Sequence, residues 1–122
     1  MADSDFYLFD QIEWEVPKAD TGAPVATREN VRRKLLSWGD ANFWVQHVEM
    51  KPGHHVAPHS HSLDELIVIL DGGCTIEGGP ELRRNDSAVL RANQQYGFTV
   101  GPEGMNFLIV RTGDARFQAS AG

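Results

Sequence analysis

The sequence predicts an all-β fold, a sandwich or barrel, on three observations. Short runs of aromatic, β-branched and other apolar residues recur down the chain at near-regular spacing. The stretches between them are rich in Gly, Pro, Asn and Asp, the residues that tight turns require. The one segment with a helical option, residues 31–38, is short for a helix. At 122 residues the chain is one domain by length, large enough for one core and too small for two.

The elements follow in order. Residues 6–9, FYLF, are apolar on both faces and read as an edge or interface strand. Residues 12–16, IEWEV, alternate apolar with acidic side chains and read as a half-buried strand ended by Pro17. Periodicity disappears over residues 17–27, rich in Ala, Gly and Pro, and a connecting loop is expected, with a mobile lid as the other reading. In residues 31–38 a helix would put Val31, Leu35 and Trp38 on one side, and a strand would put Leu36 and Trp38 on one face. The strand is preferred because everything downstream is β-like. Residues 43–50, FWVQHVEM, form a strand by composition, closed by the turn Lys51-Pro52-Gly53. Further strands are predicted over residues 66–70, 74–77, 87–91, 98–100 and 105–111. Turns separate them at 71–73, 78–80, 93–95 and 101–104, and after Thr112 the chain becomes small and polar, as a loose tail does.

Composition narrows the function. A formal charge of -6 disfavours nucleic-acid binding through overall charge, and Arg32-Arg33-Lys34 reads as a solvated face. No apolar run approaches the roughly 20 residues that span a bilayer, so no membrane partner is expected. The acidic N-terminus lacks the pattern of a secretory signal, and the cytoplasm is the expected compartment. Cys74 is the only cysteine, which excludes an intrachain disulfide, and it reads as a small buried hydrophobe.

The chemistry concentrates between Gly53 and Gly72. His59 and His61 are at i and i+2, so on a strand both project from one face about 7 Å apart along the chain. Glu65 shares their parity, and a bend through Ser62-Leu63-Asp64 would return its carboxylate to the same point. A helix bearing His61 and Glu65 at i and i+4 is disfavoured by Pro58 before it and the β-branched run after it. Two imidazoles and one carboxylate make the facial set associated with non-haem Fe(II), which also suits Mn, Ni or Zn and leaves positions open for a small molecule or dioxygen.

Gly53, five residues, His59, one residue, His61, three residues, Glu65, six residues and Gly72 match G-x5-H-x-H-x3-E-x6-G without a gap. On these residues the chain resembles the cupin superfamily, whose first motif this is. The resemblance implies a small single-domain jelly-roll β-barrel over residues 1–122. Its core would lie at about residues 43–111, with N-terminal strands and a loop over 1–42 and a tail over 112–122. It also implies a divalent metal in the barrel mouth and a homodimer in which the early aromatic segment meets a second subunit.

The second cupin motif, G-x5-P-x-G-x2-H-x3-N, is degenerate. Asn85, Arg91, Asn93 and Tyr96 stand at its glycine, proline, glycine and histidine positions, and no histidine follows His61. In the family that histidine is the usual fourth ligand. Three roles are open to Tyr96: phenolate ligand, hydrogen-bond partner of substrate or metal-bound water, and core packing. Gln94 and Gln95 are weaker candidates for the vacant position. His47, if it faces inward, is the best candidate for proton transfer or for replacing the missing ligand. His54 and His55 read as loop residues, and Arg91 and Arg111 as surface or ion-paired cations that could otherwise hold an anionic substrate.

Two function classes follow. One is a small-molecule metalloenzyme, with a dioxygenase using His59, His61 and Glu65 first and an isomerase, lyase or cyclase next. The other is a non-catalytic module that binds or senses a small molecule in the same pocket. The enzyme is preferred.

Overall fold

A computed structural model describes residues 3–16, 29–113 and 117–119. Eight strands account for most of them: β1 (Val31–Trp38), β2 (Trp44–Met50), β3 (His55–His61), β4 (Glu65–Ile76), β5 (Glu81–Arg83), β6 (Ser87–Leu90), β7 (Tyr96–Arg111) and β8 (Phe117–Ala119). Every strand pairing is antiparallel.

β4 and β7 pair along nearly their whole lengths and bend together, so each serves two layers. The later half of β7 and the earlier half of β4 lie between β2 and β6, with β1 outside β2. The earlier half of β7 and the later half of β4 lie between β3 and β5, with β8 outside β3. The two layers enclose one core of Val48, Met50, Val56, Ile67, Ile69, Cys74, Phe98, Val100, Met105 and Phe107. Ile69 and Phe107 are register partners and are each 1% exposed. Burying side chains of this size stabilises by about 1.5–3 kcal/mol each. The jelly-roll expectation is met.

The bend is where turns were expected. Asp71-Gly72-Gly73 and the stretch 101–104 do not end strands; they lie opposite one another inside β4 and β7, where the register shifts. Gly72 adopts φ +70, and a Cβ there would fall 1.9 Å from the carbonyl oxygen of Gly104. Only glycine permits both the left-handed conformation and that approach. The last glycine of the first motif is therefore the corner of the barrel.

Other differences have local causes. Residues 6–9 form no strand; Phe9–Gln11 is a 3-10 turn. Of residues 12–16, only Glu15 pairs, in an isolated bridge to Arg33. The segment instead lies over the outer face of β1 and β2, where Lys34 Nζ donates to Phe9 O at 2.7 Å and sits 3.7 Å from the Phe9 ring centroid. Those contacts compensate a lysine that is only 6% exposed. Arg32 packs over Trp14 and pairs with Glu49, and Arg33 pairs with Glu15, so the basic run is engaged rather than merely solvated. Residues 117–119 are not a loose tail: they pair with His59, Ser60 and His61. The predicted loop over 17–27 lies outside the described residues. Among the described residues no helix is long and apolar enough to cross a membrane.

Candidate functional site

Strand register assembles the polar end of the barrel. His59 on β3 lies opposite Tyr96 on β7, and Glu65 on β4 lies opposite Arg111 on β7. Glu65 shares inward parity with Ile67 and Ile69, as the period of two requires. It is 2% exposed, and Arg111 is 8% exposed.

His59 Nδ1 donates to Ala57 O at 2.9 Å; a carbonyl oxygen only accepts, so the proton is on Nδ1 and the Nε2 lone pair is available. His59 Nε2 lies 3.1 Å from His61 Nε2, with the rings at 88°. Burial lowers the His59 pKa, opposed by the Ala57 carbonyl and the Glu65 charge, while Arg111 lowers it further.

Both Glu65 oxygens have protein partners. Oε1 accepts from the Tyr96 hydroxyl at 2.5 Å, Oε2 accepts from Arg111 Nε at 2.9 Å, and Arg111 Nη2 is ion-paired with Oε2 at 2.9 Å. Burial pushes the Tyr96 phenol above its ordinary value, and the charge of Glu65 and the bond to it act in the same direction. The Tyr96 ring lies 4.6 Å from the His59 ring and stacks on Phe98 at 6.4 Å.

The degenerate second motif keeps its backbone shape. Asn85 and Asn93, standing where the motif has glycines, adopt φ 76 and φ 63. Asn is the non-glycine residue that tolerates this region best. The turn that Asn93 serves is tied to the first motif: Asn93 N donates to His61 O at 2.8 Å, and Ala92 N donates to Asp64 Oδ1 at 2.7 Å. Those bonds hold the approach to Tyr96 against the histidine strand.

A metal can be tested against these donors. Two nitrogens about 2.1 Å from one ion, at roughly 95° to each other, lie about 3.1 Å apart. The His59 and His61 Nε2 separation is 3.1 Å, so the pair fits. Glu65 is turned to Tyr96 and Arg111, and among the described residues no three His, Cys, Asp or Glu side chains are grouped so as to hold a metal ion. Each carboxylate oxygen retains a further lone-pair site. The structure thus joins His59 to His61, packs the Tyr96 ring against His59 and bonds the Tyr96 hydroxyl to Glu65.

The remaining sequence candidates lie elsewhere. His47 does not meet the condition on which its role rested, that it face inward: Gln46 and Val48 take the buried positions, so His47 projects to the outer face. There it contacts the Phe9 and Trp14 rings and pairs with Asn106 at 3.0 Å. Gln94, Gln95 and Arg91 are exposed around the turn. His55 is exposed beside Thr99 and Glu77, whereas His54 is buried, its Nε2 without a hydrogen-bond partner among the described residues. Arg111 is the residue sequence reasoning undervalued. Its one signal was an isolated cation in an apolar strand, and the register with Glu65 was not readable from one chain.

No protein-family model matches the chain. A dimethylsulfoniopropionate lyase, DddW of Ruegeria pomeroyi, is 36% identical over 62 residues, a match covering 48% of this chain and 41% of that protein. Among solved structures, a putative acetylacetone dioxygenase from Methylibium petroleiphilum superposes with a TM-score of 0.74 at 18% identity, covering 100% of this chain and 85% of that one. The polyketide cyclase RemF from Streptomyces resistomycificus gives 0.72 at 18%, covering 100% and 88%. An RmlC-like cupin from Shewanella frigidimarina gives 0.70 at 15%, covering 98% and 95%. At these identities the likeness concerns architecture. With the eight-stranded jelly roll and its bent β4–β7 pair, it shows that the chain has the fold of the cupin superfamily.

Proposed function

We propose that this chain is a metal-dependent cupin enzyme that moves a proton on a small molecule, in a lyase or isomerase reaction. The observation that carries the reading is the Tyr96 hydroxyl, bonded to buried Glu65 and packed against the His59 ring. The partial match to a lyase supports the same class.

His59 and His61 would hold a divalent ion through Nε2, with Glu65 as the third ligand through a lone pair that Tyr96 does not engage, and Fe(II), Mn, Ni or Zn suits such donors. Such an ion would polarise a substrate oxygen and favour loss of a neighbouring proton. The proton itself is handled by this chain's residues. As a substrate C–H bond breaks, its proton passes to the Tyr96 oxygen while the Tyr96 proton passes to Glu65 Oε1. The electron pair left behind forms a C=C bond and expels a leaving group, or is reprotonated at another carbon. Tyr96 is suited to relay rather than to stand as a phenolate, since burial and Glu65 both raise its pKa. Phe98, stacked on it, fixes the ring.

A second reading, a non-haem dioxygenase, is supported by the two-histidine, one-glutamate spacing. One experiment separates them. The protein is loaded with Zn or with Fe(II) and given dimethylsulfoniopropionate and a panel of β-substituted acids and diketones. Alkene formation with Zn, reduced at least 100-fold in Tyr96→Phe, is expected. Turnover confined to Fe(II) with oxygen uptake would favour the dioxygenase. Full activity in Tyr96→Phe would refute the relay.

A further inference from the structure

We infer that Arg111 is the anion anchor of the site, and that the molecule bound there carries a carboxylate. The inference rests on the reading of this end of the barrel as a small-molecule site and adds the class of ligand.

A guanidinium has five N–H donors in a rigid fork. Arg111 donates one of them, from Nε, to one oxygen of Glu65, and its Nη2 is ion-paired with the same oxygen at 2.9 Å. The two on Nη1 have no partner among the described residues, and Nη1 is not among the fully buried polar atoms that lack a partner. Nη1 is therefore reached by solvent although the residue is only 8% exposed. An arginine serving structure alone would be expected to spend its fork on both carboxylate oxygens. Here Oε1 is given to Tyr96, and the Nη1 side of the fork is left open.

The neighbours suit a short acid. Trp44 and Leu90 are the register neighbours of Arg111 and Glu65 in the same cross-strand row, both half-buried and apolar. Arg111 reaches Glu65 at 2.9 Å, Glu65 reaches Tyr96 at 2.5 Å, and the Tyr96 ring is 4.6 Å from the His59 ring. A carboxylate on the open edge of Arg111 thus lies one side chain away from the proton-transfer hydroxyl. The substrate class is a small carboxylic acid whose reacting carbon is a few bonds from its carboxylate.

The test needs neither metal nor turnover. Metal-stripped protein labelled with nitrogen-15 is titrated with propionate and, separately, with propionamide, following the Arg111 Nε–H resonance. Propionate is expected to shift it saturably and propionamide not. Glu65→Gln, which removes the competing carboxylate, is expected to tighten propionate binding at least tenfold. Arg111→Lys, which keeps the charge and loses the fork, is expected to weaken it at least tenfold. Equal response to acid and amide, or unchanged propionate affinity in Glu65→Gln, overturns the anchor; either can be read even where Arg111→Lys fails to fold. Lost anion binding beside intact proton transfer would remove the anchor alone, and anion binding without any turnover would remove the enzymatic reading alone.

Discussion

Replacing Arg111 by Met is the sharpest perturbation of this barrel, because it leaves Glu65 in place. That carboxylate is 2% exposed and would keep only the Tyr96 hydroxyl as a described partner. Removing one member of a buried ion pair costs about 3–5 kcal/mol, because the remaining charge is stranded rather than because the pair itself was strongly stabilising. With an unfolding entropy of about 0.25 kcal/mol/K for a chain of this length, the loss corresponds to a Tm lower by about 12–20 °C. Urea unfolding followed by tryptophan fluorescence measures it, provided the m-value is unchanged. The double variant Glu65→Gln/Arg111→Met removes the stranded charge and is expected to recover more than half of the lost stability. A single-variant loss below about 1 kcal/mol, or a double variant no more stable than the single, would refute the burial argument.

Three further outcomes are expected. His54 is buried, and desolvation first and His55 second lower its pKa, so the unfolded chain takes up this proton before the folded one. Its contribution to stability is present above the ordinary histidine range and is lost as pH falls below about 6.5. His54→Leu should flatten that acid limb without abolishing it, since His59 is shifted in the same direction, and denaturation at pH 7.5 and 5.5 checks it. Gly72→Ala meets the Gly104 carbonyl at 1.9 Å and should cost more than about 3 kcal/mol, whereas Gly53→Ala, with nothing within 4 Å of the new Cβ, should cost only the roughly 1–2 kcal/mol of its left-handed φ. Comparative thermal melts decide this. Val89, Leu66, Val110 and Val45 form a register row across the outer faces of four strands, with Val89 56% exposed. If a second copy covers that row, light scattering gives a dimer for the wild type and a monomer for Val89→Lys; a monomeric wild type refutes the homodimer.

Strand content was legible in the sequence because it rests on local composition. Runs such as residues 43–50 and 105–111 are β-branched and aromatic, and they form strands wherever a second layer covers one face. The glycines were legible as punctuation but not in meaning. Gly72 looks like the end of a strand, yet it bends one continuous strand, because β7 supplies a matching bend opposite it. The N-terminal aromatics were misread for a related reason. Phe9 and Trp14 have strand-like neighbours, but their partners are Lys34 and His47 on a face that the linear sequence does not reveal.

For the site, the division follows the range of the interactions. Spacing alone determined that His59 and His61 share a face, since a strand's period of two leaves no alternative, and their Nε2 atoms lie 3.1 Å apart. Spacing also marked Glu65, Tyr96 and the two asparagines that stand where glycines were expected. Only the tertiary structure decided what Glu65 does. Its partners are 31 and 46 residues away on β7, and the register of two strands that bend together brings Tyr96 to one oxygen and Arg111 to the other. The structure also decided which face of β2 meets the core: Gln46 and Val48 are buried, so His47 points outward. Parity along one strand is a local property, whereas register between strands is set by the packing of the whole barrel.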